Sequence, residues 1–207
     1  REVTSLAVLI TAIGVSYFLQ NAAQLMWTSN PKIFPAIFGS GGFVLFDGQM
    51  TIPYKTLVTI AACIVIMIGL TLFTEKTRTG KAMRACSEDK GAAQLMGINV
   101  NKTISITFAI GSALAAIAGV LLCSSYPKLI PTTGSMPGIK AFTAAVFGGI
   151  GSIPGAFLGG ILLGIIEIFS SAYLSTELAN AIVFLVLIII LLVKPTGLLG
   201  KKVNEKV

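Results

Sequence analysis

Glu167 stands inside a long apolar run, where a carboxylate is costly and usually functional, so it is the first residue whose type and place suggest chemistry. It is either a pathway or ion-coupling group or an interfacial carboxylate that helps helices pack. Little else in the sequence is reactive. With no histidine, the usual general base and the commonest metal ligand are missing. The three cysteines are dispersed, Cys63 and Cys123 in apolar blocks and Cys86 in a basic connection, which gives neither a disulfide framework nor a zinc site. Asp47 has no carboxylate partner in an apolar block, so intramembrane proteolysis is not expected. Gly80-Lys81 is followed by Ala82 and has Glu75 where a phosphate-binding loop needs its first glycine. The chain is therefore expected to be no enzyme and to hold no cofactor or metal of its own.

The elements around these residues are set by composition. Hydrophobic residues make up 55% of the chain and charged ones 11%, with a mean hydropathy of +0.90. That is more apolar surface than one globular core can hide, and it is concentrated in charge-free blocks long enough to cross about 30 Å of hydrocarbon. The expected fold is an all-α polytopic membrane protein. The net charge of +7 does not point to nucleic acid, because the basic residues lie between and after the blocks. Lys76, Arg78, Lys81, Arg84, Lys90 and Lys102 fall in one connection, and Lys194, Lys201, Lys202 and Lys206 follow the last block. Basic residues clustered beside spans place both segments in the cytoplasm.

Spans are expected at about 6–27, 54–73, 104–123, 153–173 and 178–193, with Trp27 as an interfacial anchor. A loop at 28–53 follows the first, and Gly41 to Pro53 is expected to form a short hairpin. Gly111, Ala115 and Gly119 give the third span a stripe of small residues for close helix packing. Residues 138–147 make a helix too short to span, after which come Gly148, Gly149, Gly151 and Ser152. If 74–103 and the tail are both cytoplasmic, 138–147 must dip in from the outer face, turn at those glycines and climb back out through 153–173. Such a re-entrant turn must be shielded from lipid by protein or water, so it is a candidate part of the pathway or of a subunit interface. Glu167 would then lie about 20 Å above the turn, near the outer interface.

The connection 74–103 holds the most distinctive segment, Gly80 to Gly97. Ala82, Ala85, Cys86, Ala93 and Met96 fall near helical spacing on one side and Arg84, Glu88 and Lys90 elsewhere, which predicts one short amphipathic helix stopped by Gly97. Periodicity leaves open whether it is a solvated connector or a docking element.

Arg84-Ala-Cys-Ser-Glu-Asp, Leu95-Met-Gly-Ile-Asn, Thr107-Phe-Ala-Ile-Gly-Ser-Ala-Leu-Ala and Ala118-Gly-Val-Leu resemble the cytoplasmic loop and following span of the LivH-type branched-chain amino acid permeases. Lys140 to Ala156, Ser170 to Glu177 and Lys194-Pro-Thr-Gly-Leu-Leu-Gly resemble the same family's C-terminal half, and Ile13-Gly-Val-Ser with Phe18-Leu-Gln-Asn matches as well. The likeness covers nearly everything but 28–53. It implies a single permease domain, 1–207, of an ABC importer in a bacterial or archaeal inner membrane, which translocates leucine, isoleucine and valine. The chain opens at Arg1-Glu2, and family members carry further N-terminal spans, so a truncated permease is expected. The resemblance further implies a second related permease, two ATPase subunits that bind the ATP, and an extracytoplasmic amino-acid-binding protein. Gly80, Arg84, Ala85, Glu88, Asp89, Ala92, Ala93 and Gly97 would form the ATPase-coupling loop. A permease of the same architecture for urea, amides or another small polar solute is the alternative.

Overall fold

The structure, a computed structural model, describes residues 5–35, 41–45, 50–194 and 196–200. Asp47, Lys201, Lys202 and Lys206 lie outside them. Eight helices dominate: α1 (Ser5–Trp27), α2 (Tyr54–Lys76), α3 (Arg78–Glu88), α4 (Lys90–Leu95), α5 (Val100–Ser125), α6 (Ser135–Gly148), α7 (Ile153–Tyr173) and α8 (Thr176–Val193). Four of them, α2, α5, α7 and α8, are long and apolar enough to cross a membrane among the described residues. Helix α1 has 23 residues and no charged side chain along its length. Such helices satisfy every backbone donor and acceptor internally, which lipid requires, and leave large apolar side chains on the outside.

The chain divides into two compact units. In the first, 1–57 with 115–137, two small ribbons follow the helix ends. β2 (Gly42–Leu45) pairs antiparallel with β3 (Met50–Pro53), so the expected hairpin forms, and Phe43 meets Tyr54 edge to face at 5.9 Å between ring centroids. β1 (Lys32–Ile33) pairs with β4 (Lys128–Leu129), and the Phe34 N–H donates to the Pro127 carbonyl at 2.8 Å. This second ribbon ties the chain leaving α1 to the chain leaving α5. Both helices therefore end on one face, which the crossing count requires.

The second unit, 58–114 with 138–207, holds α3, α4 and the bundle of α6, α7 and α8. Ala144, Phe147, Leu163 and Val183 form its buried apolar cluster, with Val186, Leu187, Ile190 and Leu198 packed against it. Helices α7 and α8 are joined only through Leu174 and Ser175. The Ser175 hydroxyl caps α8 by accepting from the Leu178 N–H. Helix α6 starts at Ser135 rather than Gly138, because Pro137 fits the first turn, where its missing N–H has no helical partner to lose. With 14 residues it reaches only about 21 Å, short of a span.

Small residues let α6 and α7 approach to backbone contact. A Cβ on Gly148 would meet the Gly155 carbonyl, and one on Gly159 would meet the Ala144 carbonyl. Lipid gives helices no hydrophobic incentive to pair, so close contact supplies the attraction. By contrast, open space stands over Gly111 and Gly119 among the described residues. Gly159→Val is thus expected to lower the melting temperature of the detergent-solubilised protein by several degrees. Gly69→Val, at a helix position with nothing within 4 Å, should change it little. Equal melting of the two variants would contradict the close approach.

Candidate functional site

Residues 80–97 form two helices instead of the expected one, and Asp89 is the reason. Its backbone is extended, with φ −153° and ψ 114°, and its carboxylate Oδ1 accepts from the Gly91 and Ala92 N–H groups at 2.7 and 3.0 Å. Aspartate stabilises a helix start far better than a helix interior, so the chain breaks there and begins again. The break turns Met96 away from the apolar side expected for it. Met96 is 83% and Leu95 91% exposed, while Cys86 and Ala93 are buried.

Upstream, the Thr77 hydroxyl accepts from the Gly80 N–H at 3.0 Å and donates to the Phe73 carbonyl at 2.6 Å. A Cβ on Gly80 would strike the Phe73 carbonyl and the Thr74 backbone, so glycine lets α3 fold tightly against the end of α2. Arg84 reaches Glu75 at 3.5 Å, an exposed pair of modest energetic weight. Ala85 is half-buried, and Glu88 and Ala92 are exposed. Gly97 stops α4 as expected: at φ +81° its N–H bonds the Gln94 carbonyl, while the Ile98 N–H bonds that of Ala93.

The glycine turn is built differently. Gly149 and Gly151 have φ of +109° and +92°, which bulkier residues avoid. The Ser152 hydroxyl caps α7 by accepting from the Gly155 N–H at 3.1 Å, and Pro154 sits in the first turn. The C-terminal segment then folds over the turn. Leu198 and Leu199 donate to the Phe147 and Gly148 carbonyls at 3.0 and 2.9 Å, and a Cβ on Gly149 would collide with the backbone of Gly200. Helix α7 runs 21 residues from a start that lies beside this post-α8 segment, so turn and tail share one end of the bundle.

Glu167 has a partner that sequence reasoning missed. Lys140 of α6 extends its Nζ to Oε1 of Glu167 on α7 at 2.6 Å. The signal was present in the single charge carried by each of these two helices, since an acid and a base facing each other in apolar surroundings stabilise one another. Among the described residues no hydrogen bond or ion pair links the 80–97 group with the turn or with this pair. A cavity of about 540 Å³ lies in the first unit, between the ends of α1 and α5; among the described residues it is lined by Lys32 and Asn30 but by no acid.

The family model for the permease component of branched-chain amino acid transport systems matches residues 1–191. The chain belongs to that family. The permease is 47% identical over 202 residues to BraD of Pseudomonas aeruginosa, a high-affinity branched-chain amino acid transport system permease protein, with 96% of this chain and 66% of the relative covered. Against LivH of Escherichia coli, which bears the same description, identity is 46% over 209 residues, covering 100% and 68%. LivH of Methanocaldococcus jannaschii, described as a probable branched-chain amino acid transport permease, is 31% identical over 206 residues, covering 96% and 63%. The chain thus spans about two thirds of the length of these relatives. No solved structure matches it. Family and helices together make it a multi-pass membrane permease, as the sequence motifs imply.

Because the Gly149 conformation and its contact with Gly200 both exclude a side chain, Gly149→Ala should dislodge the post-α8 segment. Hydrogen exchange at the Leu198 and Leu199 amides is expected to rise well above that of the unaltered protein. Unchanged protection there would show that the turn tolerates the methyl.

Proposed function

We propose that this chain is the greater part of the membrane-spanning permease of an ABC importer that carries leucine, isoleucine and valine into a bacterial or archaeal cell across its inner membrane. The observation that carries this reading is 46–47% identity, over nearly the whole chain, to permeases named for that transport. The working transporter would pair this subunit with a second, related permease and two cytoplasmic ATPases that bind the ATP, and would receive substrate from an extracytoplasmic binding protein. With no phosphate-binding loop of its own, the permease must be driven through a packed contact on its cytoplasmic face.

Helices α3 and α4 suit that contact. They lie in the basic connection that the charge bias assigns to the cytoplasm, and they present exposed Leu95 and Met96 beside the exposed acids Glu88 and Asp89. Exposed apolar and acidic side chains on one short element suit a protein partner, and the acids would meet basic groups on the ATPase. The glycine turn and the segment folded over it would form a shielded end of the bundle, facing the pathway or the second permease.

In proteoliposomes holding the full-length permease with its partner subunits, leucine uptake should depend on ATP and be competed by isoleucine and valine. Uptake competed by urea instead would overturn the substrate assignment. Coupling is tested separately by Glu88→Lys combined with Asp89→Asn, which adds a positive charge while retaining a side chain that caps α4. The variant should insert and pair normally yet hold the ATPase several-fold less tightly or hydrolyse ATP without uptake. Normal ATPase binding with normal uptake would remove these acids from coupling.

A further inference from the structure

Lys140 and Glu167 do more than neutralise each other, because they border a groove whose other walls have a matching character. It encloses about 200 Å³ and is lined by Ala141, Ala144, Gly160, Leu163, Gly164 and Val183. Among the described residues lining the groove, side-chain hydrogen bonding comes from the charged pair alone. That pair is reachable, with 27% of the Lys140 and 36% of the Glu167 side chain exposed. The site thus offers one cation, one anion and an adjoining apolar slot. An α-amino acid near neutral pH carries the complementary set, an α-carboxylate and an α-ammonium one carbon apart. A branched-chain one adds a side chain that asks for no hydrogen bond.

We propose that the Lys140–Glu167 pair is a binding site for the zwitterionic head of an α-amino acid, and that the groove beside it holds the aliphatic side chain. The substrate α-carboxylate takes the Lys140 ammonium, and the substrate α-ammonium takes the Glu167 carboxylate. This deepens the importer reading and rests on it. The two side chains meet at 2.6 Å, so neither charge is left uncompensated among apolar helices. When the ligand arrives, one ion pair is replaced by two, and each protein charge again has a partner. Both side chains are flexible enough to part without moving the helices that carry them. A ligand lacking either charge would open the pair and leave one member alone in apolar surroundings, which makes the site selective for the complete zwitterion.

The competing interpretation is a strut that merely holds α6 to α7, and the two separate under double neutralisation. Removing both members of a shielded ion pair is commonly harmless to stability, whereas removing one leaves a stranded charge. Lys140→Met with Glu167→Gln should therefore preserve a strut's function and abolish a receptor's. The measurement is direct binding of radiolabelled leucine to the assembled transporter, full-length permease and ATPases in nanodiscs, with the binding protein omitted. The unaltered complex should bind leucine, and isoamylamine and isocaproate, which lack the carboxylate and the amine respectively, should compete at least about tenfold less well than leucine. The double variant should bind leucine at least about tenfold more weakly while its ATPases still co-purify. An intact double variant that binds leucine as tightly as the unaltered complex would overturn the site, as would isoamylamine competing on equal terms with leucine. Absence of leucine uptake by the unaltered transporter would instead overturn the importer reading, and this site with it.

Discussion

A helix that ends among apolar side chains leaves its last carbonyls without partners, and in lipid no water makes up the loss. Helix α6 meets this constraint at Phe147 and Gly148, and the solution shapes the second unit. Its carbonyls are met from a distant part of the chain, by the Leu198 and Leu199 amides. For those amides to arrive, α8 must return the chain to the end where α6 stops, and the turn between α6 and α7 must be bare enough for backbone to lie on backbone. Gly149 and Gly197 are what that approach requires, while Gly148, Gly155 and Gly159 let α6 and α7 meet backbone to backbone. Packing then follows, with Phe147 and Val183 buried where the three helices converge.

Much of this could be read from residue order. The apolar blocks gave the long helices to within a few residues, since a span's length is fixed by the bilayer. Pro154 marked the start of α7, and Gly97 the stop of α4, because each has a narrow backbone preference. What the order concealed was long-range. Nothing near Lys140 in the chain announces Glu167, 27 residues away, and nothing near Phe147 announces Leu198. The break at Asp89 was local and still missed: the apolar spacing across 80–97 suits one continuous helix, and the carboxylate's preference for capping outweighs it.

The two groups of residues singled out for function differ in how they are held. The turn at 148–152 is fixed on both sides, by the Ser152 cap and by the backbone of the post-α8 segment. Residues of α3 and α4 are instead held by contacts local in sequence, the tight fold of Gly80 on the end of α2, the Thr77 and Asp89 caps and an exposed Arg84–Glu75 pair. The turn thus depends on a distant part of the chain, and the α3–α4 element on its immediate neighbours.

Asp89 also has a mechanical consequence. Its side chain is bonded only into α4, and its extended backbone is the single residue between α4 and α3. Rotation about its Cα–C bond would re-aim α4 while the Asp89 N–H keeps its bond to the Ala85 carbonyl of α3. Behind it, the tight fold at Thr77 and Gly80 sets α3 directly against the end of α2. A sideways push on α4 would therefore bend the chain first at Asp89, whereas a push along α3 would meet the end of the 23-residue α2. Direction of push, more than its strength, would decide whether α2 feels it.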